Sequence, residues 1–337
     1  MKKIIPAVLT LLVSMYAYTA TAQSTSPLKD RWNSYLKCKS AAEATNFIEE
    51  RNFSSIYSFV QPGSELVSQL EVVKEDVYGN SGRLFFQIQG FQIWIAFKKV
   101  NENWIMTMDE NELLEKLTEK WIKTDIKGVV YVSSAPLSPE ALKEADAFTK
   151  KNEELENIFG FKLPYFRYYY AKLGDEAADI VGEMDKGAGK ARYRAIKAVE
   201  CADHIHELVH IYAFEIGNGN PFIDEGVATT FGNKDMTNTP KKATSVLELL
   251  NEGGYEKYLD GPTFSLANME RKKVYALAQL TMTYWHNKFG MEKVKKLLHA
   301  QQDSSIDIKS YIEKNFESAA ETNNQLRQIL NSKMEEK

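Results

Sequence analysis

The sequence predicts an α+β protein in two parts. A small N-terminal α+β domain with a cone-like antiparallel sheet precedes a mostly helical domain that carries a small sheet. Three observations predict this. Residues 28–59 repeat apolar side chains at three- and four-residue spacing, as an amphipathic helix does. Residues 66–108 hold four runs rich in Val, Ile, Phe and Trp, separated by turn clusters. From Ala195 to the C-terminus the pattern is predominantly helical.

Lys2 and Lys3 precede an apolar run, Ile4 to Tyr18, which closes on Ala20-Thr21-Ala22 before Gln23. A basic head, a short apolar stretch and small residues at the end describe a secretory signal peptide over 1–22. An uncleaved anchor is the alternative reading. Cleavage near Ala22/Gln23 places the mature chain in a periplasm or outside the cell, and no other stretch is long and apolar enough to span a membrane.

In the N-terminal domain, 23–122, Trp32, Tyr35, Leu36, Ala44, Phe47 and Ile48 mark the helical part. After Gln61-Pro62-Gly63, strands are expected over Leu66–Tyr78, Arg83–Gly90, Phe91–Val100 and Trp104–Met108. In pattern this part resembles the nuclear-transport-factor-like and cystatin-like cone folds, and no chemistry is visible in it. The charged stretch Glu110–Lys123 reads as an amphipathic bridge to the second domain, 123–337. There Gly128–Ser133 reads as a strand. Ser138-Pro139-Glu140 opens a helix that runs to Phe159 and stops at Gly160. Pro164–Ala171 reads as a strand and Ala195–Ile216 as helix.

With 44% hydrophobic residues among 337, the chain is too apolar for a solvated coil, and its length suits about two domains. A net charge of −4 gives no footprint for nucleic acid. Two cysteines exclude a disulfide scaffold and cysteine-rich zinc or iron–sulfur sites. Cys38 and Cys201 either pair across the two domains or remain buried thiols.

Three of five histidines fall within seven residues, and His206-Glu207-Leu208-Val209-His210 matches H-E-x-x-H. On a helix the two imidazoles share one face, and Glu207 sits about 100° around, within reach of a water beside them. Ile205, Leu208, Val209 and Tyr212 would bury the helix, so the polar face needs a partner, and one Zn²⁺ per chain supplies it. A catalytic zinc takes three protein ligands. After the break Gly217-Asn218-Gly219-Asn220-Pro221, a second helix returns with Asp224, Glu225 and Gly226, whose missing side chain allows close approach. Glu225 is the expected third ligand, with Asp224 as its rival.

H-E-x-x-H followed by E-G-x-A-x-x-F resembles the gluzincin metallopeptidases, in particular the compact peptidase-MA-like domains. The resemblance covers roughly residues 124–300 and is strongly specific only over 206–231. It implies His206, His210 and Glu225 as zinc ligands and Glu207 as the general base of a secreted zinc peptidase acting on peptide or protein substrates. The 14-residue spacer between His210 and Glu225 is somewhat shorter than in thermolysin, and Thr229 stands where thermolysin has an acid. The glycine-bearing segment 182–196 sits where these peptidases place a substrate-binding edge strand. Tyr275 is the candidate oxyanion donor, or else a core tyrosine. His286 is a weaker candidate, His299 a surface residue, and His204 solvated or in support. The other readings are a zinc- or peptide-binding protein without catalysis, and a secreted protein whose histidines only pack.

Overall fold

The computed structural model describes residues 26–88, 91–172, 187–190, 193–232, 235–259, 268–303 and 305–335. The signal-peptide expectation lies outside them. The chain divides into two compact units, one up to Leu113 and one from Leu114. Within the described residues no helix is long and apolar enough to cross a membrane.

In the first unit, helices α1 (Pro27–Tyr35), α2 (Ala41–Ala44), α3 (Phe53–Val60) and α4 (Glu65–Ser68) precede an antiparallel meander. Its strands are β1 (Glu71–Tyr78), β2 (Ser81–Ile88), β3 (Phe91–Val100) and β4 (Asn103–Thr107), in that spatial order. Residues 66–68 were expected in the first strand but form a helical turn, because the Ser64 side chain accepts from the Val67 N–H and caps it. Asn101 and Glu102 both take positive φ in the β3–β4 turn, the geometry that lets a two-residue hairpin follow the strand twist. Trp32 and Tyr35 pack with Phe86, Phe97 and Met106 into the core under the sheet.

Helix α5 (Asn111–Leu117) contains the division between the units, earlier than the boundary at residue 122 expected from sequence. The rest of the charged stretch is not all helix: Ile122–Ile126 is strand β5, paired antiparallel with β6 (Val129–Ser133). The second unit's sheet has the order β5-β6-β7-β9-β8, with β7 at Arg167–Ala171, β8 at Gly187–Lys190 and β9 at Ala195–Val199. β6, β7 and β9 run parallel, and β5 and β8 are antiparallel edges.

Two parallel neighbours need a crossover, and α6 (Pro139–Phe159) provides it between β6 and β7. Ser138 caps it, Pro139 occupies its first turn, and Gly160 in the left-handed region ends it. Its Phe148 meets Tyr131 and Tyr168 of the sheet edge to face.

The helix expected over Ala195–Ile216 is two elements. Ala195–Val199 extends as β9 because β7 offers it a ladder from Arg167↔Ala195 to Ala171↔Val199. Helix α7 begins at Ile205 and ends at Ile216. Then follow α8 (Pro221–Gly232), α9 (Pro240–Asn251), α10 (Asn268–Phe289), α11 (Met291–Ala300), α12 (Ile308–Asn315) and α13 (Ala319–Glu335). α8 packs against both α7 and α10. Cys38, in the first unit, and Cys201, in the second, are both free thiols.

Candidate metal centre

The start of α7 is set by the sheet. The Tyr168 hydroxyl donates to the Cys201 carbonyl at 2.8 Å and accepts from the His204 N–H at 3.0 Å. Tyr131 donates to the Ala202 carbonyl, and Glu144 of α6 accepts from the Ala202 N–H. Four bonds therefore hold the turn between β9 and the helix that carries the motif. Leu208, Val209 and Tyr212 are fully buried, and Tyr212 stacks on Phe159 with centroids 5.1 Å apart. The apolar face is thus fixed, and His206, Glu207 and His210 keep partial exposure on the other side.

The return of α8 is set at its start. The Asn220 side chain accepts from the N–H groups of Phe222 and Ile223 and caps the helix, with Pro221 following. Gln301, at the end of α11, donates to Asp224 Oδ1 at 2.6 Å and accepts from the Asn220 N–H at 2.9 Å. Asp224 Oδ2 also accepts from the Gly219 N–H. Burial lifts the Asp224 carboxyl to about 6 against the pull of these donors. Both Asp224 oxygens are thus taken by Gln301 and Gly219, and the rival third ligand is not in the group of converging ligand atoms. Gln301 went unmarked in the sequence, where nothing distinguishes it from any other helix-end glutamine.

Gly226 was expected to let α8 approach the histidine helix. It serves a different contact: a Cβ there would stand 2.9 Å from the Ala278 carbonyl oxygen of α10. The close approach to α7 occurs at Gly232, where a Cβ would stand 2.7 Å from His206 Cα and 2.9 Å from its backbone nitrogen.

These constraints bring three ligand atoms together. His206 Nε2 and His210 Nε2 are 3.1 Å apart, and Glu225 Oε2 lies 3.2 Å from the first and 3.6 Å from the second. The three residues form a group able to hold a metal ion. Ligand atoms about 2.0–2.1 Å from a tetrahedral zinc stand about 3.3–3.4 Å from one another, so the triangle has the right size. Glu225 Oε2 is buried with no hydrogen-bond partner among the described residues. An orphaned carboxylate oxygen facing two imidazole nitrogens is what a cation would satisfy. Two nitrogens and one carboxylate oxygen are a donor set that zinc accepts more readily than an oxygen-seeking magnesium or calcium does, and as three ligands they would leave a coordination position open.

The electrostatics agree. Burial opposes charge on His210, but Glu225 outweighs it and holds the imidazole up to about 9. Burial likewise opposes charge on Glu225, and the two histidines reverse this, holding its carboxyl down to about 2. The pocket draws positive charge, whether as protons or as a metal ion.

Glu207 makes no hydrogen bond or ion pair among the described residues. Its charge is felt at His210 and at Tyr275. The Tyr275 ring lies nearly parallel to His206 at 6.4 Å, and its hydroxyl meets the Glu225 carboxylate. Burial, reinforced by Glu225, raises the Tyr275 pKa, so the phenol stays a donor. Thr229 is buried and donates back to the Glu225 carbonyl at 2.5 Å, so it braces the helix and offers no acid. His286 packs edge-on against Phe231, His299 is exposed, and the His204 backbone serves the Tyr168 bond; none joins the cluster. Of the segment 182–196, residues 187–190 form edge strand β8, which packs against α7, and 182–186 and 191–192 lie outside the described residues.

No protein-family model matches the chain, and no curated protein sequence matches it.

Proposed function

We propose that the chain is an exported zinc-dependent peptidase, with His206, His210 and Glu225 as ligands and Glu207 as general base. The observation that carries this reading is the triangle of Nε2, Nε2 and Oε2 atoms, with Oε2 lacking a hydrogen bond among the described residues and the partly exposed Glu207 one residue from the first histidine. Zinc bound there supplies Lewis acidity, which acidifies water and polarises a carbonyl.

The protein's own groups do the rest. Glu207 accepts a proton from the attacking water and returns it to the leaving amine, a transfer worth about 10²–10⁴-fold. Tyr275, kept protonated by burial, donates a hydrogen bond to the oxygen that gains charge. Partial exposure of Glu207 leaves room for a substrate to reach it.

The test combines elemental analysis of the purified chain with turnover of a peptide library. The expected result is one zinc per chain and hydrolysis that Glu207→Gln lowers by about 10²–10⁴-fold with the zinc retained. Absence of zinc, or a Glu207→Gln protein as active as its parent, overturns the proposal. Zinc without hydrolysis would leave a binding protein and overturn the catalytic part.

A further inference from the structure

Between α9 and α10 lies a cavity of about 550 Å³, within the range of ligand pockets. Its floor is apolar, with Val246 and Ala276 both buried. Its walls are basic: Lys241 and Lys242 come from the first turn of α9, and Lys272 and Lys273 from α10.

This charge is poorly compensated. The first turn of α9 contains no acid, although the helix dipole there favours one and disfavours lysine. Lys273 pairs with Glu248 at 3.6 Å, and both side chains are more than a third exposed, so solvent screens the contact. The Lys242 ammonium donates to the neutral Asn238 carbonyl oxygen at 3.2 Å. Lys241 and Lys272 are exposed and have no ion pair among the described residues. A chain with net charge −4 has thus gathered four cations around one apolar floor.

We propose that this cavity binds an acidic peptide segment, with carboxylates on the lysines and an apolar side chain on Val246 and Ala276. A simple inorganic anion has nothing to place on the floor. Lysine ammoniums, unlike arginine forks, take carboxylates without fixed geometry, which suits a flexible peptide. The proposal stands apart from the catalytic reading, since binding is measured without turnover.

The test is fluorescence anisotropy with a labelled acidic peptide carrying a central Leu-Phe pair, against the same peptide with amides in place of its carboxylates. The acidic peptide is expected to bind at least about tenfold tighter and to weaken as salt rises. Lys241→Gln with Lys272→Gln is expected to cost at least about tenfold, with melting temperature and metal content unchanged. Lys241→Arg with Lys272→Arg is expected to retain binding, and its failure to do so overturns the proposal. Equal affinity for the two peptides, no saturable binding, or unchanged affinity in the Gln variant also overturns it. Displacement by inorganic phosphate at the peptide's own concentration would reduce the site to a simple anion pocket and reject the peptide.

Discussion

Each unit half-buries a glutamate, and the two are treated in opposite ways. In the first, Glu49 gives one oxygen to the Lys98 ammonium at 2.7 Å and the other to the Thr107 hydroxyl at 2.5 Å. In the second, Glu225 Oε2 faces two imidazole nitrogens and has no hydrogen bond among the described residues. A satisfied carboxylate stiffens its surroundings and asks for nothing more. One whose buried Oε2 has two imidazole nitrogens before it, with no hydrogen bond among the described residues, offers an acceptor that a cation would complete. The difference is what the proposed metal site predicts, with Glu49 structural and Glu225 a ligand.

The largest effect should come from the metal itself. A ligand that binds only the folded state stabilises it by about 4 kcal/mol at a thousand times its dissociation constant. Zinc should therefore raise the melting temperature of the parent, chelation should reverse this, and His206→Ala should abolish the response. A parent that melts alike with zinc and with chelator would place Glu225 with Glu49 as a structural group.

The reciprocal change is Glu49→Ala. It removes two hydrogen bonds to a charged acceptor, worth about 1.5 kcal/mol each, so about 3 kcal/mol should be lost in chemical denaturation. Zinc stoichiometry should be untouched. Loss of zinc along with stability would show that the two carboxylates are not separable in this way.

Gly232→Ala probes how the unsatisfied oxygen is held. The new methyl meets backbone atoms of His206, which cannot rotate aside as a side chain could. The expected cost is about 2 kcal/mol of stability together with weaker zinc binding, read by competition with a chromophoric chelator. Weaker stability with unchanged zinc affinity would mean that α8 shifts as a rigid piece and keeps the triangle.

How much of this was legible in the sequence follows from where each signal resides. His206, Glu207 and His210 lie within five consecutive residues of one helix, so local periodicity places them, whereas the return of the chain offers Asp224 beside Glu225 and it is the likeness to E-G-x-A-x-x-F that favours Glu225. Helix α6 is legible end to end because its start and stop signals are local: the Ser138 side chain accepts from the Ala141 N–H, Pro139 fits the first turn, and Gly160 takes the left-handed conformation. Ala195–Val199 is not, since Ala-Ile-Lys-Ala-Val suits either state and only its ladders to β7 and β8 decide it. β5 is an edge strand with an exposed pattern, so it shows no apolar run to read. Gly226 and Gly232 both permit close approach, but which helix each meets is tertiary information.

The smallest expected effect concerns the link between the two halves of the comparison. A bridge between Cys38 and Cys201 would typically contribute about 2–4 kcal/mol, by closing a loop that spans both units. Both thiols are free, and burial, the largest influence on each, raises both above the ordinary cysteine range, with Arg31 opposing it at Cys38 and the Asp203 backbone at Cys201. Cys201 is occupied as a donor to Asp203 at 3.4 Å, beside the turn that leads into α7. Added reductant should therefore leave the melting temperature unchanged, and thiol titration of the denatured chain should find both sulfhydryls. A drop in stability with reductant would instead mean that the units are tethered in the native protein. Denaturation of Glu49→Ala would then report on both units together.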